Sequence, residues 1–256
     1  MERLGMNRDT KADTSTVDNA EVAHFDAMAE SWWSPRGDMR TLHMINPVRL
    51  AFIRDVACRH FGRDPKRLDC LKDLRFLDIG CGGGILSEPL ARIGASMVGA
   101  DPSVPNIEVA RRHAAEAGVA VDYRPVLAEE LADAGERFDV VLAMEVVEHV
   151  ADVPLFVQRC AEMVKPGGLM IAATINRTMK SYVFAIVGAE YILRLLPLGT
   201  HHWDKFVTPA ELEAAMARNG LRVIAETGVT FNILSRELRL STDMDVNYML
   251  VAERPA

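Results

Sequence analysis

Two acidic residues and a histidine stand close together in the segment MEVVEHV, as Glu145, Glu148 and His149. If this segment is a helical turn, positions i, i+3 and i+4 share one face, so the three side chains can act together. Two carboxylates and an imidazole can hold a divalent ion. Alternatively, His149 acts as a base that a carboxylate orients, or the glutamates only favour the positive end of a helix dipole. The spacing leaves these three interpretations open.

A glycine-rich turn, LDIGCGGGIL, follows an apolar run and carries Gly80, Gly82 and Gly84. Such turns let the backbone approach a nucleotide-like ligand closely. The dinucleotide fingerprint G-x-G-x-x-G is not met from either of the first two glycines. Asp78 leads the loop, and a negative side chain there disfavours a pyrophosphate. The loop therefore favours a zwitterionic or cationic ligand such as a sulfonium amino acid, with a tight structural turn as the alternative.

A further acid, Asp101, closes the next apolar run, SMVGAD, 21 residues after Gly80. A carboxylate at a strand end can accept both hydroxyls of an adenosine ribose. Dinucleotides and S-adenosylmethionine share this feature, so it indicates an adenosyl ligand without separating the two. The alternative is an exposed aspartate in a turn.

Short apolar runs alternate with helical patterns around these motifs. Predicted strands lie in LRFLDIG, SMVGADPS, VDYRPV, FDVVLAME and LMIAATIN, with two more in LRVIAE and VNYMLVAE. Such alternation predicts a doubly wound, mainly parallel sheet. Before it, EVAHFDAMAESWW predicts a helix, and Pro47 is expected to begin a second one. After it, Thr208 and Glu211 form a capping box that begins a late helix.

The amino-acid composition limits the classes of protein to which this chain can belong. The 256 residues contain 49% hydrophobic and 25% charged residues, so a single globular domain can bury a sizeable core. The formal net charge of −7 disfavours a nucleic-acid partner. Four scattered cysteines indicate reduced thiols and, with no signal-type apolar segment near the start, predict a cytoplasmic protein.

Taken in order, LDIGCGGGIL, GAD, FDVVLAMEVVEHV and VKPGGLMIAATIN resemble the class I S-adenosylmethionine-dependent methyltransferases. More narrowly, AESWWSPRGDMRTLHMINPVRLAFI, NRTMKSYVFAIVGAEYILRLLPLGTHHWDKF and DVNYML are similar to the bifunctional O-methyltransferases of ubiquinone biosynthesis. The resemblance covers residues 23–251. The core motifs indicate the superfamily, and the flanking motifs indicate the branch.

The resemblance implies a Rossmann-like class I methyltransferase fold in which the doubly wound, mainly parallel sheet has seven strands. The expected division is a disordered tail over 1–21 and one methyltransferase domain over 22–256. Within the domain we expect a helical cap (22–70), a cofactor-binding core (71–176), an apolar insertion or lid after strand five (177–207), and a C-terminal helix and strands (208–256).

The resemblance also implies how S-adenosylmethionine is bound. Arg49 is expected to pair with the methionine carboxylate, Gly80 to permit close backbone approach, Asp101 to bind the ribose, and Met144 to lie near the adenine or sulfonium. With the loop residues, the expected cofactor-binding set is Arg49, Asp78, Gly80, Gly82, Asp101 and Met144. Without the resemblance, the sequence predicts that Arg49 is an exposed charged residue on a helix and that Met144 is a core side chain.

The implied reaction is O-methylation of polyprenylated catechol or hydroquinone intermediates, at two steps of ubiquinone biosynthesis. A phenol with a pKa near 10 must lose its proton to become a good nucleophile. Glu145, Glu148 and His149 are the expected catalytic residues, either around Mg²⁺ or with His149 as base. His201 and His202 are a weaker pair on the expected lid. The alternatives are another small phenol as acceptor, or a non-catalytic cofactor-binding scaffold.

The apolar stretch SYVFAIVGAEYILRLLPL, residues 181–198, carries only Glu190 and Arg194 as charges. A buried helix accounts for this composition. Alternatively, the stretch admits a polyprenyl tail or rests in a membrane interface. We expect peripheral, non-spanning contact with the inner face of the membrane through this stretch, and membership of a ubiquinone-biosynthesis complex.

Overall fold

The computed structural model describes residues 15–34, 37–182, 203–232 and 237–256. The strands are β1 Arg75–Ile79, β2 Ser96–Ala100, β3 Asp122–Arg124, β4 Phe138–Met144, β5 Val164–Ile175, β6 Arg222–Asn232, β7 Glu237–Ser241 and β8 Asn247–Glu253. The α-helices are α1 Asn19–Asp26, α2 Arg40–His60, α3 Ser87–Arg92, α4 Val104–Ala117, α5 Ala128–Asp133, α6 Val153–Glu162, α7 Met179–Ser181 and α8 Pro209–Arg218. Short 3-10 helices span Ala29–Ser31, Val147–His149 and Trp203–Lys205.

The strands form one sheet in the order β3-β2-β1-β4-β5-β8-β6-β7. Strands β1 to β5 pair in parallel, and β8, β6 and β7 continue the sheet by antiparallel pairing. Hydrophobic clusters cover both faces, as a parallel sheet requires. The predicted doubly wound, mainly parallel α/β fold is confirmed.

The number of strands differs from the prediction, because the described residues form eight strands and not seven. The additional strand is β7, which pairs with β6 from Gly228–Ser241 to Asn232–Glu237. Its sequence, ELRLS, contains two charges, and Leu240 is exposed. A short, half-exposed edge strand of this kind has too weak a hydrophobic pattern to be recognised in the sequence.

Local capping signals set several helix boundaries. The Thr208 side chain accepts a hydrogen bond from the Glu211 backbone N–H and begins α8, which confirms the predicted capping box. Ser103 caps the start of α4, and Gly118 ends it in the left-handed conformation. These boundaries follow from residues within one turn, so the sequence alone predicts them.

The prediction for Pro47 is wrong, because α2 begins at Arg40 and Pro47 lies inside the helix. Proline has no N–H to donate to the carbonyl four residues earlier, which normally favours a helix start. Here tertiary contacts outweigh that preference. The neighbouring Asn46 donates from Nδ2 to the Ile85 carbonyl at 2.8 Å, which fixes this part of α2 on the glycine loop.

Residues 15–21, the last part of the predicted N-terminal tail, are ordered. The Thr16 N–H donates to Glu129 Oε1 at 2.5 Å, and Val17 forms a bridge with Val150. Asp18 then caps α1, which begins at Asn19. The expected tail over 1–21 is therefore too long, because its last residues obtain backbone partners from distant parts of the chain.

Residues 183–202 lie outside the described residues. They include His201, His202 and most of the apolar stretch 181–198. Among the helices that the structure describes, none combines the length and hydropathy needed to cross a membrane.

Candidate functional site

The carboxyl ends of β1, β2 and β4 meet at one edge of the sheet because these strands are parallel. A cavity of about 340 Å³ lies at this edge. It is lined by eight of the nine predicted site residues: Arg49, Asp78, Gly80, Asp101, Met144, Glu145, Glu148 and His149. Gly82 belongs to the glycine loop but does not line the cavity. Strand ends at such an edge are where α/β folds bind ligands.

The glycine loop adopts a conformation that only glycine accepts without strain. Gly80 has φ +69°, and a Cβ there would lie 2.5 Å from Val146 Cγ2. Gly82 has φ +50°, and its Cβ would lie 2.2 Å from the ring of Trp32. Trp32 belongs to the N-terminal cap, so the cap packs directly onto the loop. The loop therefore has no room for side chains at these two positions.

Asp101 connects the loop to the end of β2. Its Oδ2 accepts from the Gly82 N–H and its Oδ1 from the Ser103 N–H, each at 2.9 Å. Burial raises the pKa of Asp101, and the two backbone hydrogen bonds oppose this effect. Each carboxylate oxygen can accept more than one hydrogen bond, so the side chain can also bind hydroxyls in the cavity.

Asp78 is buried at the end of β1, where its Oδ2 accepts from Ser87 Oγ at 2.5 Å. Burial raises its pKa to about 7, and the hydrogen bond from Ser87 partly opposes the rise. Ser87 begins α3, so Asp78 links β1 to the helix that follows the glycine loop. Asp78 contributes to the shape of the loop as well as to the lining of the cavity.

Arg49 is buried on α2 and forms an ion pair with Glu145, which follows β4. The Arg49 Nε atom is buried and has no hydrogen-bond partner in the described structure. Glu145 has φ +58°, an uncommon backbone conformation for a residue other than glycine. The arrangement demonstrates that Arg49 can bind a carboxylate that is placed in this cavity.

Glu148 lies in the 3-10 turn after β4 and is almost fully buried. Its Oε2 accepts from Thr174 Oγ1 at 2.7 Å, whereas its Oε1 has no partner in the described structure. Burial and, secondly, the nearby charge of Glu145 raise the pKa of Glu148 to about 7. The carboxyl group therefore presents an unused oxygen at the wall of the cavity.

His149 contacts a residue that the sequence analysis did not select. Its Nδ1 lies 2.9 Å from Glu21 Oε2 on α1, and its ring meets the ring of Phe25 edge-on at 5.1 Å. Burial lowers the pKa of His149, but the Glu21 hydrogen bond and the charges of Glu148, Glu21 and Glu145 outweigh burial and raise it.

The expectation that Glu145, Glu148 and His149 share one face of a helical turn is wrong. Glu145 precedes the turn in a left-handed conformation, and only Val147–His149 form a 3-10 helix. Each of the three side chains also has its own partner, namely Arg49, Thr174 and Glu21.

The partners of Glu145, Glu148 and His149 also affect whether these residues can form the predicted magnesium site. The unused Glu148 oxygen suits Mg²⁺. In the parts of the chain that the structure describes, however, no three acidic, histidine or cysteine side chains are arranged to hold a metal ion. The predicted magnesium site is therefore not preformed.

Sequence reasoning missed two cap residues of the site, Glu21 and Trp32. Asp18 followed three residues later by Glu21 is the spacing of a helix N-terminus, and this signal could have found α1. For Trp32, whose Nε1 donates to Asn106 Oδ1 at 2.8 Å, no local signal identifies the partner 74 residues away.

Comparison with known proteins gives consistent matches. Residues 50–226 match a family model described as "Methyltransferase domain". A protein of Azorhizobium caulinodans named "Ubiquinone biosynthesis O-methyltransferase" is 63% identical over 239 residues, which cover 93% of this chain and 94% of that protein. A protein of Rhizobium etli strain CFN 42 with the same name is 62% identical over 247 residues, covering 96% of this chain and all of that protein.

Solved structures resemble the fold. Magnesium protoporphyrin IX methyltransferase from Synechocystis PCC 6803, with bound SAH, has a TM-score of 0.63 at 19% identity, covering 91% of this chain and 94% of that chain. An S-adenosylmethionine-dependent methyltransferase from Clostridium acetobutylicum has a TM-score of 0.58 at 10% identity, covering 82% and 92% of the two chains. At these identities the likeness concerns the fold alone.

Proposed function

This chain belongs to the ubiquinone biosynthesis O-methyltransferases, which depend on S-adenosylmethionine, and from that membership we propose how its cavity performs the reaction. The enzyme catalyses O-methylation in ubiquinone biosynthesis. The proposed acceptors are polyprenylated catechols or hydroquinones, methylated at two steps. The observation that carries the mechanism is one cavity lined by Arg49, Asp101 and the hydrogen-bonded pair Glu21–His149.

The residues at the sheet edge suit the cofactor. The buried guanidinium of Arg49, already paired with one carboxylate, would bind the methionine carboxylate. Asp101 would accept the ribose hydroxyls, and Gly80 leaves backbone space beside them. Met144, at the end of β4, would contact the adenine or the sulfonium region. These assignments require only side chains that already line the cavity.

His149 is the proposed general base. S-adenosylmethionine supplies a sulfonium methyl group: the acceptor oxygen bonds to the methyl carbon while the carbon–sulfur bond breaks, and its electron pair stays on sulfur as S-adenosylhomocysteine. His149 takes the phenolic proton, which makes the acceptor oxygen a stronger nucleophile. Glu21, as an ionised partner, stabilises the imidazolium that results.

The cavity also presents an apolar surface to the acceptor. This surface is contributed by α1, α2 and the ends of β5 and β8, and its residues are Val22, Phe25, Leu42, Ile45, Ile175 and Val246. A surface of this kind suits an aromatic ring with an apolar tail, because burying the ring and tail there removes them from water. Glu148, with its unused oxygen, would face the polar edge of the ring.

Magnesium at Glu145, Glu148 and His149 stays a prediction and is the alternative to His149 as base, because an imidazole nitrogen that binds the ion cannot also take the phenolic proton. An ion at this position would require Glu145 to break its ion pair with Arg49. A ligand carboxylate that binds Arg49 would release Glu145 from that pair. Mn²⁺ binding, followed by electron paramagnetic resonance, is expected to strengthen with S-adenosylhomocysteine but not with 5′-methylthioadenosine, which lacks the carboxylate. If Mn²⁺ binds in neither case, the magnesium prediction is wrong.

Peripheral membrane contact through residues 181–198 is a further part of the proposal. Met179, two residues before this stretch, Tyr182, its second residue, and Trp203, five residues after it, are exposed. Apolar and aromatic side chains of this kind favour a membrane interface. Flotation with phosphatidylethanolamine–phosphatidylglycerol vesicles should weaken when Leu195 and Leu196 are both changed to Asp. Leu68→Asp, at an exposed leucine outside the stretch, is the control. Unchanged flotation would remove this part of the proposal.

The cytoplasmic location and the membership of a biosynthetic complex stay predictions from the sequence. No contact in the described structure identifies a partner protein.

Calorimetric titration with S-adenosylhomocysteine is the first test. We expect micromolar binding that Asp101→Ala weakens at least about tenfold, the effect of losing about 1.4 kcal/mol. Asp122→Ala, at the exposed edge strand β3, is the matched control and should bind as the unmodified chain does.

Methyl transfer to a polyprenylated catechol then tests His149. His149→Gln should lower kcat about 100-fold or more, the usual contribution of a general base. Binding of S-adenosylhomocysteine without transfer to any phenol would instead indicate a scaffold. Equal activity on phenols without a prenyl tail would indicate another small acceptor.

A further inference from the structure

The N-terminal turn of α4, residues 103–106, holds the carboxylate that is proposed above to bind the ribose. Asp101 Oδ1 accepts from the Ser103 N–H at 2.9 Å, and the Asn106 side chain donates a further hydrogen bond to the same carboxylate. The Asn106 N–H donates to Ser103 Oγ at 3.1 Å, which caps the helix. Ser103 and Asn106 are almost fully buried. The orientation of Asp101 therefore depends on the position of this turn.

Two side chains of the N-terminal cap bind the same turn. Trp32 Nε1 donates to Asn106 Oδ1 at 2.8 Å, and Asp26 Oδ1 accepts a hydrogen bond from Ser103 Oγ. These bonds join residues that lie 74 and 77 positions apart in the chain, so they depend on how the cap packs against α4. The two residues of the turn that donate to Asp101 are therefore themselves held by the cap.

The Asn106 amide has one orientation that satisfies both of its neighbours. An indole N–H can only donate and the Asp101 carboxylate accepts, so the amide oxygen faces Trp32 and the amide nitrogen faces Asp101. Trp32 also covers Gly82, whose N–H donates to Asp101 Oδ2 at 2.9 Å. Cap contacts thus reach each of the three groups that donate to Asp101.

We propose that Trp32 and Asp26 are positioning residues for the cofactor ribose, which hold residues 103–106 so that Asp101 presents its free acceptor sites to the two ribose hydroxyls. A hydrogen bond weakens steeply when its angle departs far from linear, so a carboxylate that rotates loses such bonds. The proposal rests on the function proposed above, in which Asp101 binds the ribose. Both cap residues act through the turn and need no contact with the ribose.

The test measures ribose preference by calorimetry. We define it as the Kd of the 2′,3′-dideoxy analogue of S-adenosylhomocysteine, which lacks both ribose hydroxyls, divided by the Kd of S-adenosylhomocysteine. The unmodified chain should prefer S-adenosylhomocysteine by about tenfold or more, the effect of one to two hydrogen bonds. Asp101→Ala should abolish most of this preference.

Two cap variants then test the positioning role. Trp32→Phe keeps an aromatic ring over the glycine loop but removes the N–H, and Asp26→Ala removes the acceptor for Ser103 Oγ. Each should lower the ribose preference about threefold to tenfold, the effect of one hydrogen bond. Asp26→Asn keeps an oxygen that can accept from Ser103, so it should retain the preference.

Glu30→Ala is the matched control. Glu30 also joins the cap to α4, through Arg112 at 2.7 Å, but this contact is exposed and lies beyond residues 103–106. Glu30→Ala should leave the ribose preference unchanged. A merely structural role of Trp32 and Asp26 would instead lower Tm and weaken the binding of both ligands by the same factor, without changing the preference.

A double-mutant cycle shows whether Asp26 acts through Asp101. When Asp101 is already alanine, Asp26→Ala should change the affinity for S-adenosylhomocysteine by less than about twofold. An equal loss with and without Asp101 would refute the proposal. Asp26 is half-buried and does not line the cavity, so Asp26→Ala should fold, and it decides the proposal if Trp32→Phe does not fold.

Two failures are distinguishable. If the unmodified chain shows the ribose preference and a folded Asp26→Ala or Trp32→Phe retains it in full, the positioning role of that residue is refuted and the proposed function stands. If the unmodified chain shows no ribose preference, or Asp101→Ala retains it, the failure lies in the proposed assignment of Asp101.

Discussion

At the scale of single residues, the site contains two buried pairs of opposite charge. Arg49 pairs with Glu145, and His149 pairs with Glu21. Burying an unpaired charge is costly, so each pair permits a charged group to stand at the cavity wall. A ligand carboxylate that binds Arg49 must therefore compete with Glu145.

The raised pKa of His149 predicts the acidic limb of the pH profile. A base must be neutral to accept a proton, so kcat/KM should fall as the pH drops through a value above the ordinary 6.5 of histidine. Glu21→Gln removes the hydrogen bond and one charge, which leaves Glu148 and Glu145 as the nearby acids. The limb should therefore move to lower pH in this variant. An acidic limb at the same pH in both proteins would contradict the assignment.

The Arg49–Glu145 pair predicts a gain in cofactor affinity on mutation. Glu145→Gln removes the carboxylate that competes for Arg49, so S-adenosylhomocysteine should bind roughly threefold to tenfold more tightly, equivalent to about 1 kcal/mol. 5′-Methylthioadenosine, which lacks the carboxylate, should bind both proteins equally in calorimetry. Weaker binding of S-adenosylhomocysteine to the variant would mean that Glu145 contacts the ligand directly.

At the scale of elements, the cap and the glycine loop depend on each other. Trp33 Nε1 donates to the Gly83 carbonyl at 2.8 Å, and Trp32 covers Gly82 and Gly83. The cap helices therefore stabilise the loop that would contact the cofactor. Conversely, because the loop glycines carry no side chains, the cap tryptophans have space to pack against the loop.

Gly82→Ala tests this dependence. An alanine at φ +50° is strained, and its Cβ would overlap Trp32, so the loss of stability should be about 2–4 kcal/mol. Gly135→Ala is the matched control, because Gly135 has φ +74° but no atom within 4 Å of the added Cβ. That variant should lose only about 1 kcal/mol from backbone strain. Equal losses in urea unfolding would show that the Trp32 contact is unimportant.

At the scale of the whole molecule, the position of the cavity follows from the strand order. In the order β3-β2-β1-β4-β5, the chain proceeds outward in opposite directions from the adjacent strands β1 and β4. The helices that follow these two strands lie on opposite faces, which leaves a crevice at their carboxyl ends. Gly80 and Glu145 follow these two strands and line the cavity. Topology therefore places the glycine loop beside the acidic segment.

Because cap, loop and sheet edge all line one cavity, a ligand there should stabilise the whole fold. S-adenosylhomocysteine at 100 times its Kd should stabilise the chain by about 2.7 kcal/mol. For a chain of this size, Tm should rise by roughly 5–10 °C in a thermal scan. Asp101→Ala, compared at the same ligand concentration, should show a much smaller rise. A Tm that does not respond to the ligand would argue against binding in this cavity.

Features set by neighbouring residues could be predicted from the sequence. The strand and helix alternation, the glycine loop, the Thr208 capping box and Asp101 at the end of β2 all follow from patterns a few residues long. Hydrophobic period, capping and backbone freedom are local, and so the sequence by itself determined the fold class and identified eight of the residues that line the cavity.

Only the tertiary structure decided which side chains meet. Glu21 lies 128 residues from His149, and Arg49 lies 96 residues from Glu145. The same packing keeps Pro47 inside a helix against its local preference. Contacts between distant residues depend on how the helices pack on the sheet, and no short sequence pattern specifies that packing. For this reason the sequence identified His149, whereas its carboxylate partner Glu21 became visible only in the folded chain.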